Sequence, residues 1–140
     1  MKRLIVFVFA LLLPAALVAQ TPHHQTHFPP EEFKARWAKL YSQIGDRAVA
    51  IVQGVSLARG FNFPRQSNEF YYLSGIETPG AYLLLDGRTR KTTLFLPPRN
   101  ERLERSEGKV LSAEDAELVK KLTGVDAVAS VKAMGEEWLG

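Results

Sequence analysis

Two apolar runs, residues 81–85 (AYLLL) and 92–96 (TTLFL), are joined by the hexapeptide DGRTRK, and this pairing constrains the chain more than any other stretch of it. Each run has the length of a strand, and Asp86 with Gly87 supplies turn chemistry between them, so the segment reads as an antiparallel hairpin. Pro97 and Pro98 cannot donate to a ladder and end the second strand.

The surrounding chain alternates helix and strand signals. Pro29 and Pro30 open a helix that carries Phe33, Trp37, Leu40, Tyr41 and Ile44 on one face, with Glu31 and Glu32 at its positive end and Gly45 as its stop. Residues 48–52 (AVAIV) read as a short buried strand. Ser67 caps NEFYYLSG, a helix of about two turns, although its aromatic composition would also fit a strand. Residues 100–106 form a short polar helical turn. Ser112 and Asp115 make a capping box for a helix bearing Leu118, Val119 and Leu122 up to Gly124. Residues 125–129 are a last strand, and 131–139 begin another helix. Such alternation predicts an α/β layer fold, a single domain with helices packed on a central sheet.

Residues 1–20 precede this unit. Lys2 and Arg3 are followed by an apolar run up to Ala19, interrupted only by Pro14 and too short for a membrane span, the layout of a secretory signal peptide cut after Ala19 or Gln20. Export to the periplasm or the medium is the expectation. Residues 21–28 (TPHHQTHF) carry no periodicity and read as a flexible tail. The net charge of +3 includes Lys2 and Arg3; without the leader, 16 basic residues face 15 acidic ones. That near-neutral remainder speaks against nucleic acid as a partner. With no cysteine in the chain, disulfides and thiolate metal sites are excluded.

The string RQSNEFYYLSGIETPGAYLLLDGRTRKTTLFLPPR at 65–99 resembles the N-terminal domain of Xaa-Pro aminopeptidases, metallopeptidases related to prolidase and creatinase. The resemblance rests on Arg65, Gln66, Phe70, Tyr72, Leu73, Ser74, Gly75 and Pro79, then the hairpin, then Pro97, Pro98 and Arg99. It extends over residues 29–140 and implies a ribonuclease H-like α/β domain with a mixed sheet flanked by helices. In that family a separate pita-bread domain hydrolyses the X-Pro bond, using two Asp, one His and two Glu to hold two divalent metals, usually manganese. This chain stops at Gly140, where such a domain would begin, and His23, His24 and His27 all precede the folded region. The resemblance therefore carries no catalytic or metal-ligating residue onto this chain, and no cofactor bound by it.

The same resemblance implies roles at the mouth of the active site, with a catalytic domain or subunit as partner, a homo-oligomer as a possible assembly, and peptide substrate met only in the assembled enzyme. Phe70 and Tyr72 are expected in the core, while Tyr71, with Arg65 and Gln66 behind it, is a candidate for the substrate cleft or a subunit interface. For Arg65 and Gln66 a structural role is the alternative, tying an irregular loop to backbone groups. A copper or zinc site in the histidine tail is disfavoured, because Pro22 lacks the amide hydrogen that the best-known arrangement needs. The mixed-sign run from Arg99 to Glu107 reads as a solvated face. Two functions fit these readings: the N-terminal part of an exported aminopeptidase, or a free-standing binding module that has lost the enzyme.

Overall fold

The computed structural model describes residues 24–56 and 65–138. Helix α1 (Pro30–Ile44) leads to strand β1 (Val49–Gln53) and helix α2 (Asn68–Ser74). The hairpin follows as β2 (Tyr82–Asp86) and β3 (Lys91–Leu96), then helix α3 (Glu101–Glu107), a 3₁₀ turn (Ala113–Asp115), helix α4 (Ala116–Thr123), strand β4 (Ala127–Ser130) and helix α5 (Val131–Trp138). The strands form one mixed sheet in the order β1-β2-β3-β4, antiparallel except for the parallel pair β3 and β4. The parallel pairing follows from the helical crossover between β3 and β4, which returns the chain in the same direction. Residues 1–23, with the expected signal peptide and His23, lie outside the described residues.

The main core fills the space between the sheet and helices α1, α2 and α4. Phe33, Trp37 and Tyr41 from α1 pack with Phe70 and Leu73 from α2, Leu83 and Leu85 from β2, Leu94 and Leu96 from β3, and Val119 from α4. On the opposite face a smaller cluster of Leu84, Phe95 and Met134 lies under α5. Each buried side chain of this size stabilises the fold by roughly 1.5–3 kcal/mol through its apolar area.

Strand β1 departs from the expected buried strand. Ala50 and Val52 face the core, but Val49 and Ile51 are 39% and 42% exposed. It is an edge of the sheet, and α5 packs on the far face against β3 and β4 and over Leu84 of β2, leaving Val49 and Ile51 exposed. An unbroken apolar run cannot tell an edge from a centre. Similarly, α4 buries Val119 and half-buries Leu122 but leaves Leu118 42% exposed.

Residues 24–28, expected as the end of a tail, are docked. Gln25 is buried, its N–H donates to the Gly75 carbonyl, and its side chain exchanges hydrogen bonds with the backbone of Phe28. Gly75 makes this possible: it ends α2 in the left-handed conformation, and a Cβ there would lie 2.6 Å from Gln25 and 2.7 Å from Phe33.

Candidate functional site

Part of the set that carries the family resemblance, Gln66, Pro79 and Pro97 to Arg99, collects at one end of the sheet, where β1 and β3 leave it and β2 enters. Gln66 is the bolt of this end. It is buried, its Oε1 accepts from the N–H groups of Val55 (2.7 Å) and Ser67 (3.0 Å), and its Nε2 donates to the Thr78 carbonyl (3.1 Å). Gly54 lets the amide come this close, since a Cβ there would stand 2.9 Å from Nε2. One side chain thus joins the exit of β1, the start of α2 and the entry to β2, which is the structural role weighed for it. Arg65 beside it is exposed.

Thr78 continues the chain of contacts by donating its hydroxyl to the Leu111 carbonyl, and Ala113 N–H donates to the Pro97 carbonyl. Asp115 receives the N–H and the hydroxyl of Ser112, closing the expected capping box, and also the Arg99 guanidinium at 2.7 Å. Burial alone would raise the Asp115 carboxyl, but the Ser112 and Arg99 donors and the charge of Lys109 outweigh it and hold the group below its ordinary value. Between these loops opens a largely apolar groove of about 410 Å³, with Pro79, Pro97, Leu103, Val110 and Leu111 on its walls and Arg99 at its rim.

Helix α2 begins at this end. Ser67 caps it through Phe70 N–H, and its inward face is Phe70, Leu73 and Ser74. Those positions follow the 3.6-residue period, which leaves Tyr72 on the outside at 52% exposure. The expectation that Tyr72 is core is therefore corrected: pairing it with Phe70 applied the two-residue period of a strand to a helix. Tyr71, the cleft candidate, is half-buried, and burial together with the nearby Glu77 charge raises its phenol above the ordinary value.

Arg36 escaped the sequence reading. It is buried, donates to the Tyr72 carbonyl and to Glu32, and lies among the rings of Phe28, Phe33 and Tyr72. The Glu32–Arg36 spacing of four was the signal available in the sequence. His24 bridges to Ile76 in an extended pairing and His27 is exposed, and among the described residues no group of three or more His, Asp or Glu is placed to hold a metal ion.

The profile of the family "Aminopeptidase P, N-terminal domain" matches residues 33–138. This chain belongs to that family. A Xaa-Pro aminopeptidase of Haemophilus influenzae is 31% identical over 99 residues, covering 66% of this chain and 23% of the relative. A probable Xaa-Pro aminopeptidase of Pyrenophora teres is 44% identical over 52 residues, 37% of this chain and 11% of the relative. Among solved structures, aminopeptidase P from E. coli with the inhibitor Pro-Leu superposes with a TM-score of 0.64 at 23% identity, over 80% of this chain and 26% of that one. The zinc-substituted E. coli enzyme in complex with product gives 0.66 at 22%, with the same coverage. These likenesses establish the fold, a mixed four-stranded sheet with flanking helices, and the chain spans about a quarter or less of the relatives it matches.

Proposed function

We propose that the chain serves as the non-catalytic N-terminal domain of an exported Xaa-Pro aminopeptidase, forming contacts with a catalytic domain or subunit and bounding its peptide cleft. The match over residues 33–138 carries this reading, and the gathering of Gln66, Pro79 and Pro97 to Arg99 at one end of the sheet supports it. Tyr71, on α2, is the residue assigned to the cleft together with the exposed Arg65, and Gln66 holds the loop in place. The divalent metal, manganese, belongs in this reading to the catalytic part, because residues 24–56 and 65–138 do not offer a fitting ligand group. Export rests on the basic start and apolar run of residues 1–19.

The reading frame that follows the Gly140 codon tests the assignment. A continuing frame that encodes two Asp, one His and two Glu in metal-ligand positions supports it. A stop with no neighbouring gene for such a domain overturns it in favour of a free-standing binding module. Purified chain is expected to release nothing from an Xaa-Pro peptide with added manganese, and EDTA-sensitive release by homogeneous protein would contradict the non-catalytic role. Mass spectrometry of protein secreted by a bacterial host should find the chain shortened by 19 or 20 residues; an intact Met1 on membrane-bound protein overturns export.

A further inference from the structure

A second cavity, about 320 Å³, lies between α1 and the turn that joins α4 to β4, away from the groove described above. Its size is at the lower end of the range of small-molecule sites. Trp37, Ala38 and Tyr41 form the α1 wall, Thr92 comes from β3, and Asp126 from the turn. The framework is fixed. Tyr41 and Thr92 share a buried hydroxyl–hydroxyl hydrogen bond of 2.9 Å, Thr92 N–H donates to Asp126 Oδ2 at 2.8 Å, and Asp126 N–H donates to the Thr92 carbonyl.

Three charges stand around this cavity. The side chains of Lys34 and Arg90 make no ion pair or hydrogen bond with the described residues, and Asp126 Oδ1 accepts none. Arg90 is nevertheless not a freely swinging chain: its backbone has a φ of 57°, and its guanidinium lies 5.3 Å from the centre of the Tyr41 ring. A plain anion would satisfy the two cations but face the Asp126 carboxylate, and a plain cation would face Lys34 and Arg90. A zwitterion uses all three.

We propose that this cavity binds a free α-amino acid. Its carboxylate is taken by Lys34 and Arg90 and its ammonium by Asp126 Oδ1, and the buried Trp37 and Tyr41 form only the floor beneath it. The assignment concerns a site separate from the aminopeptidase reading and does not depend on it.

The test is titration of the ¹⁵N-labelled full chain with L-leucine, following the Trp37 indole and the Thr92 amide by NMR. The L-leucine amide lacks the carboxylate, and 4-methylpentanoate lacks the ammonium. Saturable millimolar binding of leucine, weakened by about tenfold or more for either half-ligand, is expected. Lys34→Gln and Asp126→Asn, each checked for a dispersed spectrum, should weaken leucine to a similar extent. Lys34 is an exposed helical position, so its variant keeps the test decisive if Asp126→Asn fails to fold. Absence of saturation by leucine overturns the proposal. Equal affinity for 4-methylpentanoate or for the amide does so as well, showing a simple anion or cation site, and so does unchanged leucine affinity in Lys34→Gln.

Discussion

The Arg36 guanidinium lies 4.2 Å from the centre of the Tyr72 ring and donates a hydrogen bond to the carbonyl of the same residue. Tyr72 is held on the surface by a cation buried beneath it, and the hydrogen-bonded half of that contact belongs to its backbone. α1 and α2 are joined at this point, with the Trp37 indole donating to the Leu73 carbonyl one residue further along each helix.

Truncation of the aromatic block should therefore have unequal effects. Phe70 is fully buried in the main core, and Phe70→Ala is expected to cost about 3–5 kcal/mol. Tyr72→Ala leaves the carbonyl bond to Arg36 intact and removes only an exposed ring–cation contact, for about 1 kcal/mol or less. Urea midpoints of the two variants check this, and a larger loss for Tyr72→Ala would restore that residue to the core.

Gln66 offers a sharper test of the sheet end. Gln66→Ala leaves the Val55 and Ser67 donors and the Thr78 acceptor without their partner and should destabilise by about 2–4 kcal/mol. Gln66→Glu keeps the shape and the acceptor but, when ionised, turns a carboxylate oxygen toward the Thr78 carbonyl. Its stability relative to wild type should improve as the pH is lowered and the new carboxyl gains a proton to donate. A deficit that does not change between pH 7 and pH 4 would show that the Nε2 bond to Thr78 contributes little.

The elements of the fold were legible because their signals are local. The hairpin, the capped α2 with its left-handed Gly75 and the capping box at Ser112 each depend on neighbours in sequence. The failures were tertiary. Whether Ile51 is buried depends on how far α5 reaches over the sheet, and whether Gln25 is ordered depends on a carbonyl fifty residues away. Of the candidate site, Gln66 and a loop-tying role for it were legible, but not its partners, because Val55, Ser67 and Thr78 come from three chain segments that meet only in the fold.

Arg90 occupies a left-handed position in the hairpin turn, where glycine carries no steric penalty. Arg90→Ala keeps the strain and loses the contact with Tyr41, so a loss of about 0.5–1 kcal/mol is expected. In Arg90→Gly the relief of strain, about 1 kcal/mol, offsets that loss, and the variant should melt within a few degrees of wild type. If alanine is tolerated better than glycine, the backbone strain is negligible.

Acid stability should report the carboxylates at the two ends of the sheet. Burial opposes ionisation of Asp86, yet the Arg88 N–H, the Thr89 hydroxyl and the Arg88 guanidinium outweigh it and keep the carboxyl below its ordinary value. Asp115 is lowered in the same direction. A carboxyl whose folded value lies below its unfolded value, about 3.9, binds fewer protons in the folded chain. Its contribution is complete above that pH and is lost as the pH falls toward and through the folded value. The urea midpoint should thus be insensitive to these two groups between pH 5 and 7 and fall below about pH 4. Asp86→Asn retains an acceptor for the Arg88 N–H but cannot titrate, so it should start less stable at neutral pH and lose less on acidification, with Asp115→Asn behaving likewise. A wild-type slope below pH 4 that survives unchanged in the double variant would place the acid sensitivity on other carboxylates.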